Sequence, residues 1–210
     1  MVSCATVLRG FAYCRGFPRS FLICLVLAFS FVAAKPEMFL VLGGSRSTPF
    51  GPGNSNGDYG TRLGLAFPTS LPVGEMALPL EIGLSLRTAT IGFSDWFGRD
   101  VFTDLQVPFI FHNALPFHKR LEILAVWTPG YTLDMISTSE LSGNVSATQS
   151  LRTRFNMGLG VGLQYLLPWD LSMRGHWVYN LFSPYPASRL TWADLTIDVL
   201  VPIVWKKKSP

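Results

Sequence analysis

Ser172 and His176 are the residue types of a nucleophile and its base, four positions apart. If they share one face of an extended chain, that spacing sets them about 13 Å apart. A base must reach its nucleophile at hydrogen-bond distance, so the pair as spaced makes no hydrolytic dyad. The other two histidines, His112 and His118, flank Pro116 in a turn-like stretch. They could bind a metal in principle, but turn histidines read first as solvated side chains. No GxSxG, P-loop or GxGxxG motif occurs. Gly158-Leu159-Gly160-Val161-Gly162 resembles a phosphate loop only superficially, because its glycines fall on one side of an alternating segment. No cofactor and no catalytic or metal-binding set is expected from these residues.

The charged residues carry more pattern than the histidines do. From Arg152 to Tyr165 the chain alternates without a miss. Arg152, Arg154, Asn156, Gly158, Gly160, Gly162 and Gln164 share one parity; Phe155, Met157, Leu159, Val161, Leu163 and Tyr165 share the other. A period of two is a strand signal, and this one outlasts the usual soluble strand of about six residues. Seven further segments behave similarly, at about 38–47, 59–67, 78–88, 101–111, 121–133, 171–181 and 195–205. The first has ambiguous facing. The fifth is softer, since Leu124 and Val126 share the parity of Glu122, Thr128, Thr132 and Asp134. The polar parities gather Arg62, Glu81, Arg87, Asp104, Gln106, Glu122, Asp134, Arg152, Arg154, Asn156, Arg174, His176, Asp194 and Asp198. Counting from hairpin centres sets Asp134 opposite Arg152, Arg174 opposite Asp198, and Arg87 diagonal to Asp104. Such pairs stabilise strand pairing, and shielded from water they demand partners.

Composition says where this can fold. Charged residues are 14% of the 210-residue chain and mean hydropathy is +0.32; soluble domains average about 25% charged. The longest uncharged apolar run, Ser20–Ala34, has fifteen residues, short of the roughly 20 that a spanning helix needs. It follows Arg9, Arg15 and Arg19 and ends in Val32-Ala33-Ala34, which reads as a secretory signal peptide over residues 1–34. Cys4, Cys14 and Cys24, the chain's three cysteines, all lie in it. Residues 35–205 would then form the domain and 206–210 a short basic tail with Lys206, Lys207 and Lys208. Without the signal's three arginines the balance is 14 basic against 13 acidic residues, so no nucleic-acid partner is expected.

Three features turn the apolar parity outward. No lysine falls in any segment, whereas a water-facing sheet needs charge. The polar parity is rich in glycine and alanine, as the crowded interior of an eight-stranded barrel requires. The aromatics gather near segment ends: Phe67, Phe109, Phe111, Tyr165 and Trp205 at one rim, Tyr59, Trp96, Tyr131, Tyr179 and Trp192 at the other. Two such girdles match two membrane interfaces. The expected fold is therefore all-β: a closed, eight-stranded, antiparallel, up-and-down transmembrane β-barrel, with outer-membrane lipids as its surroundings. Long loops at 48–58, 89–100, 136–150 and 182–189 would face outside, and turns at 68–77, 112–120 and 167–170 the periplasm.

The signal peptide, the eight alternating segments and the aromatic end of the last one resemble the small bacterial outer-membrane barrels of the OmpX, OmpA membrane-domain and OmpW type. The resemblance implies an outer-membrane location and a final strand, Leu195–Trp205, read by the barrel-assembly machinery. Two departures are the residues after Trp205 and two supposed periplasmic turns of nine or ten residues. The leading functional expectation is a non-enzymatic barrel with a charge-paired, filled interior. Its loops, above all Ile136–Ser150, would serve envelope integrity or contact host or extracellular ligands. The alternative is a narrow OmpW-type channel for small solutes. A third reading is the lipid A-modifying chemistry that some such barrels perform.

Overall fold

The computed structural model describes residues 37–50, 55–93, 98–139, 147–148, 154–182 and 191–204. The signal segment 1–34, Trp96, Arg152, Trp205, the lysine tail and most of the 136–150 loop lie outside them.

Eight barrel strands form: β1 (Glu37–Phe50), β2 (Tyr59–Val73), β3 (Met76–Phe93), β4 (Gly98–Gln106 continuing as Phe109–Leu115), β5 (His118–Ser139), β6 (Phe155–Leu166), β7 (Ser172–Asn180) and β8 (Thr191–Val204). Each pairs antiparallel with its neighbour in sequence. The ring closes where β1 runs against β8 from Glu37↔Val204 to Phe50↔Thr191. Closure leaves no sheet edge, the condition for a sheet to survive in hydrocarbon. No described helix is long and apolar enough to cross a membrane. Two short segments, Ser55–Gly57 on β3 and Ala147–Thr148 on β5, lengthen the wall at the long-loop end.

Alternation fixes the faces. β1 resolves with Val41, Ser45 and Ser47 buried inside and Leu42 exposed outside. Leu63, Leu86, Leu159, Val161, Leu163, Met173, Trp177, Leu195 and Ile197 stand exposed on the outer wall, while every inward neighbour in register is polar, small or packed. Inward glycines make that interior possible. A Cβ on Gly162 would lie 2.6 Å from both the Gly175 carbonyl oxygen and the His176 Cβ, so only glycine lets the His176 side chain occupy the lumen opposite it.

Two of the strand prolines, Pro108 and Pro202, sit where a missing N–H costs little. Pro108 falls in the break within β4, and its carbonyl accepts from Gly83 N at 2.7 Å. Pro202 pairs with Phe39 of β1, beyond Leu200 where the β7 pairing stops. The long periplasmic turns expected at 68–77 and 112–120 are corrected. The β2–β3 ladder continues out to Val73↔Met76 and closes on Gly74-Glu75, with Gly74 at φ +62°. This is the two-residue hairpin geometry that asks for glycine at its first position. The β4–β5 turn is likewise only Pro116-Phe117.

Candidate functional site

The lumen is built in layers. At the long-loop end, Ala89, Ile91, Phe102, Met135 and Trp192 pack into an inward apolar cluster, with Phe102 and Trp192 stacked at 5.4 Å between centroids. Toward the short turns, Val41, Ala66 and Leu200 pack with Phe39, and Ile110, Leu124, Val126 and Val178 form a further buried group. The buried charges lie between these layers.

Two linked sets make up the charged layer. In the first, Asp198 Oδ2 accepts from Arg174 Nη2 and Nε at 3.1 and 3.2 Å and from Arg62 Nη1 at 3.3 Å. Arg174 Nη1 also donates to Glu81 Oε1 at 2.7 Å. Arg62 reaches Ser85 Oγ at 3.3 Å and His176 Nε2 at 3.1 Å. A guanidinium only donates, so His176 Nε2 is the acceptor there and the ring proton sits on Nδ1. In the second set, Arg87 bridges Asp104, at 2.7 Å, and Asp194. Asp194 further accepts from Ser47 Oγ at 2.7 Å and Asn180 Nδ2 at 2.8 Å. Asp104 accepts from Thr132 Oγ1 at 2.7 Å, and Thr132 Oγ1 from Asn156 Nδ2 at 3.1 Å. Each guanidinium therefore meets at least one carboxylate, as buried charges must.

Most of the sequence-derived network converges here. Arg62, Glu81, Arg87, Asp104, Gln106, Asn156, Arg174, His176, Asp194 and Asp198 are all buried on the inner face. Arg174 does face Asp198, and Arg87 is directly opposite Asp104 rather than diagonal to it. Glu122 lies lower, at the short-turn mouth, where His112 Nδ1 contacts its Oε2 at 2.7 Å. His118 instead stands 6.0 Å from the Tyr165 ring, and no metal-holding group occurs among the described residues.

Two expectations fail. Asp134 does not point into the lumen. The register passes from Thr103↔Asp134 to Asp104↔Thr132, so Leu133 is an extra residue in β5. The bulge flips the parity beyond it: Met135 and Ser137 face inward, and Asp134 turns back to cap the Met135 N–H at 2.9 Å. Arg154 is exposed before β6 begins, and its Nη1 donates to the Leu133 carbonyl at 3.0 Å. Sequence reasoning also missed Asp100, which is buried and accepts from Ser137 Oγ at 2.6 Å. Extending the fourth alternation one step back, in phase with Asp104, would have found it.

The girdle is partly redrawn. Tyr59 is exposed at the long-loop end with the Arg46 guanidinium 6.0 Å over its ring. Tyr179 donates to or accepts from Thr191 Oγ1 at 2.8 Å, and Tyr165 is exposed at the opposite rim. Phe109 stacks on Trp127 at 4.9 Å, and with Tyr131 and Phe111 it belongs to a dense outer-wall cluster around Ile82 and Val107. Phe67 pairs with Ile82 beside it. Trp192 is the correction: its even parity in β8 is that of Asp194 and Asp198, so it plugs the lumen instead of meeting lipid.

Solved structures share this architecture. Neisserial surface protein A superposes with a TM-score of 0.52 at 9% identity, over 80% of this chain and 99% of that one. Ail, the attachment invasion locus protein of Yersinia pestis, solved with the heparin analogue sucrose octasulfate, gives 0.50 at 12% identity over 80% and 98%. The outer membrane enzyme PagL gives 0.40 at 12% identity over 78% and 99%. No family model and no curated protein matches the chain in sequence. The fold is that of the small bacterial outer-membrane barrels: a closed, eight-stranded, antiparallel transmembrane β-barrel.

Proposed function

We propose that the protein is a non-enzymatic, integral outer-membrane barrel whose filled interior is a scaffold for its surface loops. Residues 1–34 direct export, 35–205 form the barrel delivered to the assembly machinery by its last strand, and 206–210 are a basic tail. The loops, with 136–150 the longest and most polar although its first residues, Ile136–Ser139, extend β5, serve envelope integrity or contact with host or extracellular molecules. The observation that carries this reading is the stacking of the lumen. Three buried arginines, Arg62, Arg87 and Arg174, are each paired with at least one carboxylate between two apolar layers. A conducting path more naturally keeps one dominant sign and open volume. His176 supports the same reading, since its Nε2 is taken by Arg62 and the residue is 2% exposed.

The reading predicts an electrically silent protein. Purified full-length chain, refolded and added to planar bilayers, is expected to give no reproducible single-channel steps at moderate voltage. Regular steps would overturn the scaffold in favour of a narrow solute channel.

A further inference from the structure

Below the charged layer the lumen opens at the short-turn end into a cavity of about 280 Å³. Its polar wall is made of Thr69, Glu81, His112, Glu122, Gln164, Asp170 and Ser172. The charges there are unequal. Glu81 Oε1 is already held by Arg174 at 2.7 Å. Glu122 Oε2 takes His112 Nδ1 at 2.7 Å and Gln164 Nε2 at 3.4 Å, and its Oε1 has no hydrogen bond among the described residues. Asp170 adds a second carboxylate at the rim. Gln164 is the telling residue. It is 6% exposed, it lines this cavity, and its Oε1 has no partner. The amide cannot simply be turned over, because that would set its oxygen against the Glu122 carboxylate. A buried amide oxygen left without a donor is destabilising unless something supplies one.

The one buried polar atom of this wall without a partner is thus an acceptor, the Gln164 amide oxygen, and beside it stand the half-buried Glu122 carboxylate, the exposed Asp170 carboxylate and the Thr69 and Ser172 hydroxyls. The described residues hold no group of three metal-ligating side chains, so coordination of an ion is not what the wall offers. An ammonium carries three donors and one positive charge. The rest of the wall is apolar, with Phe39, Leu166 and Leu200 among it, which suits a methylene stem behind a charged head. We propose that this mouth binds the ammonium head of an alkylamine, with Gln164 Oε1 and Glu122 as its acceptors and the stem against the apolar wall.

Two sources carry that chemistry. One is a free alkylamine. The other is the chain's own Lys206–Lys208, since β8 reaches Val204 at this same end, opposite Glu37. Calorimetric titration of the full chain in detergent micelles with 1,5-diaminopentane tests the site, with 1-pentanol as the neutral control. Gel mobility without heating reports folding of every variant. The diamine is expected to bind saturably at one site and pentanol not at all. Gln164→Leu and Glu122→Gln are each expected to weaken binding at least tenfold, and either variant suffices if the other fails to fold. A Lys206→Gln/Lys207→Gln/Lys208→Gln variant separates the sources. If it binds the diamine at least threefold tighter than wild type, or binds where wild type does not, the tail is the occupant. Equal affinity makes a free amine the ligand. No saturable binding in both chains, or binding that survives Gln164→Leu and Glu122→Gln, overturns the proposal.

Discussion

Asp198 is the residue on which the interior turns. Its side chain is fully buried, and one oxygen serves two guanidiniums on different strands. It can approach so closely because Gly43 lies opposite on β1; a Cβ there would stand 3.1 Å from the Asp198 Cγ. Removing the carboxylate leaves Arg62 with only His176 and Ser85 and Arg174 with only Glu81. Breaking a buried pair from one side costs about 3–5 kcal/mol, far more than the pair's net worth, because a charge is stranded. Asp198→Ala should therefore unfold at a clearly lower urea concentration than wild type when refolded in lipid vesicles and followed by tryptophan fluorescence. An unchanged midpoint would show that the network does not hold the barrel together.

At the scale of elements, the β6–β7 turn stores strain that the other short turns avoid. Trp169 and Asp170 both sit in the left-handed region, at φ 63° and 59°, within Pro168–Asp170. A side chain in that region costs roughly 1–2 kcal/mol. Trp169 is 86% exposed and packs against little that would offset the cost. Trp169→Gly should add up to about 1 kcal/mol of stability after the extra chain entropy of glycine, and so raise the unfolding midpoint; a lowered midpoint would mean the indole's contact with the membrane interface outweighs the strain. The same scale explains what could be read beforehand. Eight strands were legible, six of them by a clear period of two and the first and fifth by a weaker one, and counting from the hairpin centre placed Arg174 against Asp198. Asp134 was not legible, since one extra residue in β5 reverses every facing beyond Leu133 and nothing in Thr132-Leu133-Asp134 announces a bulge. Trp192 was misread for a related reason: an aromatic at a strand end suggests a girdle, but parity, which Trp192 shares with Asp194, decides whether it meets lipid or lumen.

For the whole molecule the issue is which solvent the outer wall meets. Leu159, Val161 and Leu163 of β6 are half or more exposed, as are Leu195 and Ile197 of β8, and the polar side chains of those strands are inside. In water such a wall would be a large adhesive patch of the kind soluble monomers avoid; in a bilayer it is the surface that holds the barrel in place. Val161 separates the two directly. It is 62% exposed and outward, between the inward Gly160 and Gly162. On a water-facing surface Val161→Arg should change stability by no more than about 0.5 kcal/mol. At mid-depth in hydrocarbon an arginine costs about 2–4 kcal/mol, falling toward zero near the interfaces. Urea unfolding of Val161→Arg from vesicles should show the larger loss. The same substitution at Tyr59, exposed near the long-loop end of β2, should show much less. The depth dependence distinguishes a membrane wall from a merely sticky one: equal, small effects at both positions would mean that the apolar face does not sit in lipid.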